Sequence, residues 1–187
     1  MVKRNVTVDA VAAGLCALLL SGCGGGTITF ACADGGCIVT TVAGTGQHGN
    51  VDGAALDAQF SMPHSVAVDA QSDVHVADYE NNNLTRVISQ GTVSTPAEDP
   101  ISFPHPANVA TDASGNRYVA DTYGNRILKV TPAGETIIVA GTGQSGSTDG
   151  DASMATFSMP TGLALDAQGA LYVADMGNRK IRKITLT

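Results

Sequence analysis

The chain of 187 residues has no tryptophan, four tyrosines, four phenylalanines and 14% charged residues. Its length excludes a large multidomain enzyme and places it among single globular domains. Basic residues are scarce, 10 Lys and Arg against 17 Asp and Glu, for a net charge of −7. That balance excludes a nucleic-acid partner, whose phosphates need a basic face. Long apolar runs are missing as well. The run at 10–20 is too short to cross about 30 Å of hydrocarbon. A nucleophile elbow is absent, since Gly143-Gln-Ser-Gly-Ser147 ends in the wrong residue. What the chain does have is glycine, 22 of them, and repetition.

Lys3 and Arg4 precede the apolar run, which ends in Leu20-Ser21-Gly22-Cys23. Basic start, short apolar stretch and small residues read as an export signal over 1–22. The final four residues resemble the bacterial lipobox, which implies cleavage before Cys23, lipid on that Cys and membrane attachment through it. The alternative is an ordinary secretory signal with an incidental Cys. Gly24 after the lipid Cys implies the outer membrane by the same resemblance. Residues 23–38 then hold the lipidated Cys, a Gly-rich tether and the Cys32–Cys37 loop. Cys16 leaves with the signal. Cys32 and Cys37 flank an Asp-Gly-Gly turn and are expected to form a disulfide in an exported compartment, with free thiols as the alternative.

Self-comparison organises the remainder. Val42-Ala-Gly-Thr-Gly-Gln47 returns from Val139, Phe60-Ser-Met-Pro63 from Phe157 and Val76-Ala-Asp78 from Val173, each displaced by 97 residues. A middle copy, Tyr118-Val-Ala-Asp121, lies 43 residues after the first and 54 before the third, behind a shorter loop. Short apolar stretches separated by Gly, Asn, Asp and Pro predict strands and turns. First strands are predicted at 65–69, 108–112 and 162–166, second strands at 74–77, 117–120 and 171–174, and third strands at 84–88, 127–130 and 181–185. Fourth strands are predicted at 92–95 and 136–140. The expected class is therefore all-β, built of four-stranded blades of a β-propeller.

Pro160-Thr-Gly-Leu-Ala-Leu-Asp166, Leu171-Tyr-Val-Ala-Asp-Met-Gly-Asn178 and Ile181-Arg-Lys-Ile184 resemble the NHL repeat. Over 39–187 the resemblance implies about three NHL-type blades, at about 60–95, 103–140 and 157–187. The first copy departs at Ser65 and Ser72, where the third has Gly162 and Gly169, changes expected to weaken turns. The third blade lacks a fourth strand, and 38–43, which matches a fourth strand, is the expected closing strand. Three blades make a partial ring. Two chains closing one six-bladed ring is the expected assembly, with intramolecular closure or truncation as rivals.

Gly44-x-Gly46-x-x-Gly49 and Gly141-x-Gly143-x-x-Gly146 match a dinucleotide fingerprint but lack its parallel βαβ setting, so they are read as turn glycines. Asp78, Asp121 and Asp175 end second strands and lead into turns bearing Asn81, Asn125 and Asn178. Their expected task is local bonding to backbone amides; the functional alternative is a ligand face that binds a cation or sugar hydroxyls. Asp69, Asp112 and Asp166 end first strands near the opposite mouth. Asp52-Gly53 and Asp149-Gly150-Asp151-Ala152-Ser153 lie in long loops; the second lacks the full calcium ligand set, so both are read as tight turns. Arg179 to Lys183, a basic cluster, is split by alternation over both faces.

His64 and His105 each follow Pro near the channel, and the resemblance to amidating lyases suggests metal ligands there. They are not equivalent: His64 aligns with Ala107 and Thr161, His105 with Met62 and Met159. A zinc site needs more ligands than these two. Lactonase-like propellers hold a cation with a Glu and several Asn or Asp, but Glu80, Glu98 and Glu135 stand at no strand start. No catalytic residue, metal or cofactor is therefore expected, a divalent cation being the alternative. The expected function is an extracytoplasmic, lipid-anchored binding module for protein or glycan. The alternative is a metal-dependent propeller hydrolase or lyase.

Overall fold

The computed structural model describes residues 38–81, 86–96 and 105–186. The expected export signal, the expected lipid site Cys23 and the expected Cys32–Cys37 disulfide lie outside the described residues. The chain divides into a unit ending at Thr40 and a second unit, Thr41–Thr187, that holds every described strand. Among the described residues no helix is long and apolar enough to cross a membrane.

The first sheet holds β1 (Gly53–Ala54), β2 (Pro63–Val68), β3 (Val74–Asp78), β4 (Arg86–Ser89) and β5 (Thr92–Ser94), in spatial order β1-β5-β4-β3-β2. The second holds β6 (Pro106–Thr111), β7 (Arg117–Asp121), β8 (Arg126–Val130) and β9 (Thr136–Ala140), in chain order. The third holds β10 (Pro160–Leu165), β11 (Ala170–Asp175) and β12 (Lys180–Thr185). All pairings within the sheets are antiparallel. These are three blades of a propeller, a partial ring, with the predicted strands in place over the described residues, 84 and 85 lying outside them. One strand was not foreseen: β1, two residues long, pairs with β5 and adds a fifth strand to the first blade. Residues 38–43, the expected closing strand, lie in no sheet of this chain.

Alternation along each second strand decides how blades stack. Val76, Val119 and Val173 are buried at equivalent rungs, while the residues between them face the other way. Tyr118, Ala120, Ile127 and Ala140 of the second blade pack with Ala155, Phe157, Leu171, Val173 and Ile184 of the third in the largest core cluster. The innermost strands are also linked by polar bonds. Ser65 Oγ accepts the Val109 amide at 3.5 Å, and Asn108 Oδ1 accepts the Leu163 amide at 3.3 Å. Ser65 therefore sits within a strand and ties one blade to the next, whereas it was expected to weaken a turn. Ser72 does sit in a turn at φ 68°, where the other blades place Gly115 and Gly169.

The two end blades keep one face uncovered. Val66 is 63% exposed although its counterpart Val109, covered by the first blade, is 3% exposed. A groove of about 350 Å³ along that face is lined by Val42, Phe60, Val66, Val74, Val76 and Ile88. At the other end Ile181 is 74% exposed.

Candidate functional site

The Pro that opens each first strand starts a β-bulge: pairing skips His64, Ala107 and Thr161 in the three blades. A bulge re-aims the side chain it carries. The residue before each Pro has left-handed backbone, at φ 54° for Met62, 64° for His105 and 51° for Met159. Second strands end on the same side, so this mouth of the blades gathers the bulge residue, the left-handed residue and the turn after the Asp.

Between the first two blades that mouth carries four rings. His64 stacks on Tyr79 with centroids 5.3 Å apart; Tyr79 meets His105 edge-on at 4.8 Å; His105 meets Tyr123 edge-on at 5.0 Å. The Tyr79 hydroxyl donates to that of Tyr123 at 3.5 Å. This bond, followed by burial, raises the Tyr79 pKa above its ordinary value. His64 Nδ1 donates to the Ala107 carbonyl at 3.0 Å, which leaves Nε2 for a ligand. His105 Nδ1 is buried without a partner among the described residues. Glu80 flanks the ladder, 3.5 Å from His48 Nε2 and 3.0 Å from Ser61 Oγ. The ladder includes His64 and His105, both singled out in the sequence, and adds Tyr79, which lies between them, and Tyr123, neither of which was singled out. A comparison of Tyr79 with Thr122 and Met176 at the equivalent turn position carried that signal.

Asp78, Asp121 and Asp175 require a correction. Each is 0% exposed, so none contributes to a ligand face. The third strand brings an arginine against each one. Arg86 pairs with Asp78 at 3.4 Å, Arg126 with Asp121 at 2.8 Å and Arg182 with Asp175 at 3.0 Å. The other carboxylate oxygen accepts a backbone amide, from Ser61 for Asp78 and Ser158 for Asp175, each 17 positions upstream, and from nearby Gly124 for Asp121. The asparagines are engaged too. Asn81 donates to the Gly49 carbonyl and Asn178 to that of Gly146, tying down the last glycine of each Gly-rich loop. Asn125 accepts the Met159 amide at 3.0 Å. Gly44, Gly46, Gly141 and Gly143 all have positive φ, as turn glycines should.

Arg86 and Arg182 do a second task. Arg86 reaches Asp52 at 2.6 Å and Arg182 reaches Asp149 at 2.6 Å, clasping the long loops that precede the first and third blades. Arg86 also donates to the carbonyls of Gln59 and Val51, and each guanidinium lies over a Phe ring, Phe60 or Phe157. The second blade has Leu128 at that rung.

At the opposite mouth Asp69, Asp112 and Asp166 close the first hairpins. Each Oδ1 accepts amides two and four residues on. Burial alone would raise the Asp69 and Asp112 pKa values; bonds from His75 to Asp69 and from Asn116 to Asp112, with those amides, outweigh it and lower both. The Ala170 amide is the main cause of the lowered Asp166 value. His75 Nε2 meets Asp69 at 2.7 Å where Tyr118 meets Asp112 at 3.2 Å. Among the described residues no three His, Cys, Asp or Glu side chains are grouped to hold a metal ion.

Among solved structures, an auxiliary nutrient binding protein from Bacteroides ovatus is similar at 15% identity and TM-score 0.56, over 68% of this chain and 35% of that one. A streptogramin B lyase is similar at 15% identity and TM-score 0.53, over 72% of this chain and 41% of that one. A catalytically inactive variant of virginiamycin B lyase from Staphylococcus aureus, with quinupristin, is similar at 18% identity and TM-score 0.52, over 71% and 41%. This chain thus spans well under half the length of these propellers, and they show its fold. No curated protein matches. The teneurin NHL domain model matches residues 36–185, the whole stretch that carries the three blades, and the chain therefore belongs to that NHL family.

Proposed function

We propose that this chain is a binding module: an NHL propeller segment, lipid-anchored through Cys23 on the extracytoplasmic side of a bacterial outer membrane, that grips a protein or glycan with one mouth. The observation that carries this reading is the contrast between the two mouths. At one, Asp69, Asp112 and Asp166 close three near-identical hairpins. At the other, side chains differ from blade to blade and include the exposed or half-buried rings of His64, Tyr79, His105 and Tyr123. Rigid blades presenting variable loops are a scaffold for recognition. No cofactor is needed for such binding. The fold shared with a nutrient binding protein agrees with the reading.

A second copy completes the ring. The uncovered faces at Val66 and Ile181 are the surfaces that blades bury on one another, and β12 presents a free edge for the 38–43 segment of the partner. Retention of envelope extract on immobilised protein tests the binding role. Tyr123→Ser with His64→Ala should abolish retention, while Gln71→Ala with Gln168→Ala, on the opposite mouth, should leave it intact. Equal retention by both pairs would refute the assignment of the mouth.

A further inference from the structure

We infer that the ring ladder between the first two blades is a sugar platform, which takes one hexose unit of a neutral glycan. This rests on the binding-module reading and gives its ligand a chemical class. The repeat supplies an internal control for what the fold itself requires. At the seam between the second and third blades the equivalent positions hold Ala107, Thr122 and Met159 in place of His64, Tyr79 and His105. That seam closes without a ring ladder: Thr122 Oγ1 donates to the Pro160 carbonyl at 2.9 Å, and Met159 keeps the same left-handed backbone as His105. Rings are therefore surplus to blade packing. In a chain with no Trp and four Tyr, two Tyr and two of the four His nonetheless gather at this one seam.

Their chemistry suits a sugar. The C–H face of a pyranose packs on an aromatic surface while its hydroxyls need donors and acceptors at the margin. Tyr123, 52% exposed, and exposed His64 end the ladder. The margin supplies two phenol hydroxyls, Nε2 of exposed His64 and the exposed Glu80 carboxylate. A protein contact would centre on an apolar patch. Exposed Val66, Val68 and Ile181 lie instead on the end faces of the arc, and exposed Met62 and Met176 at this mouth belong to the first and third blades, outside the position where the four rings meet.

The test replaces each ring with the residue from the other seam: His64→Ala, Tyr79→Thr and His105→Met together. Maltohexaose, cellohexaose, mannohexaose and chitohexaose are titrated into both proteins, followed by tyrosine fluorescence, unobscured by Trp, and by NMR. At least one should bind the native chain saturably and the triple variant about tenfold or more weakly, a difference of about 1.4 kcal/mol. The variant should melt at the native temperature, because these residues already serve the same backbone elsewhere. No saturable binding of any sugar up to about 5 mM, a regime of only ~3 kcal/mol, would overturn the inference, as would equal binding by the variant. If no sugar binds but the variant loses retention of envelope extract, the glycan assignment falls and the binding role stands. If retention is also unchanged, both fall.

Discussion

Replacing Arg182 by Leu probes how the long loops are held to the blades. The guanidinium is 8% exposed, 3.0 Å from fully buried Asp175 and 2.6 Å from Asp149. It also donates to the carbonyls of Thr156 at 3.1 Å and Thr148 at 2.8 Å. Leucine is what the second blade carries at this rung, so neither side-chain size nor strand preference should penalise the change. The cost comes from what is left behind: the Asp175 carboxylate without its counter-charge and two carbonyls without donors. Removing one partner of a buried ion pair costs about 3–5 kcal/mol. Exposed Asp149 adds little beyond that. A domain of this size holds about 5–15 kcal/mol in total. At about 2–4 °C per kcal/mol, the melting temperature should fall by about 6–20 °C. Adding Asp175→Asn should recover more than about 1 kcal/mol, because the amide oxygen can still accept the Ser158 amide. Thermal and urea unfolding at pH 7, followed by circular dichroism, measures both. A fall under about 2 °C, typical of a surface change, would refute the buried-clasp reasoning.

His75→Tyr installs the residue found at Tyr118 and Tyr172 and should preserve the bond to Asp69, changing stability by less than about 1 kcal/mol, whereas His75→Ala should cost about 1–3 kcal/mol by leaving a buried acceptor unpaired; urea midpoints separate the two. Ser72→Gly removes a left-handed serine that the other blades avoid and should stabilise by about 0.5–1 kcal/mol, with an unchanged or lower midpoint as the contrary result. The lowered pKa values of Asp69 and Asp112 mean that both stabilise the fold fully above their unfolded value, near the ordinary 3.8, and cease to do so as pH drops through the folded values. Melting temperatures should therefore be flat above about pH 5 and fall below about pH 4, less steeply in Asp112→Asn; a rise on acidification would contradict this sign.

The blades were legible because strand alternation is a local signal and the repeat supplied it three times. The third-copy segment at 171–174, for example, became β11 with one residue added at each end. Local alternation also put Arg182 and Lys183 on opposite faces, but it could not say that the inward face held Asp175. The pairing of Arg182 with Asp149 spans 33 positions and depends on a loop folding back, so Asp149 read as a plain turn residue. For the same reason Asp78, Asp121 and Asp175 looked like candidates for a ligand face. A carboxylate at a strand end is exposed unless a neighbouring strand delivers a cation, and that delivery is tertiary. Tyr79 and Tyr123 meet across 44 positions, beyond the reach of any short motif. β1 has two residues and owes its pairing to the loop that β5 happens to adjoin.

The account turns on the three sheets being successive blades of one ring, each built to bury a face against a neighbour. Sedimentation velocity of the lipid-free chain at micromolar concentration, without detergent, tests this most directly. The account predicts a species of twice the chain mass, reverting to monomer when Val66→Glu and Ile181→Glu place charges on the two bare faces. A native chain that sediments as a stable monomer throughout that range would contradict it.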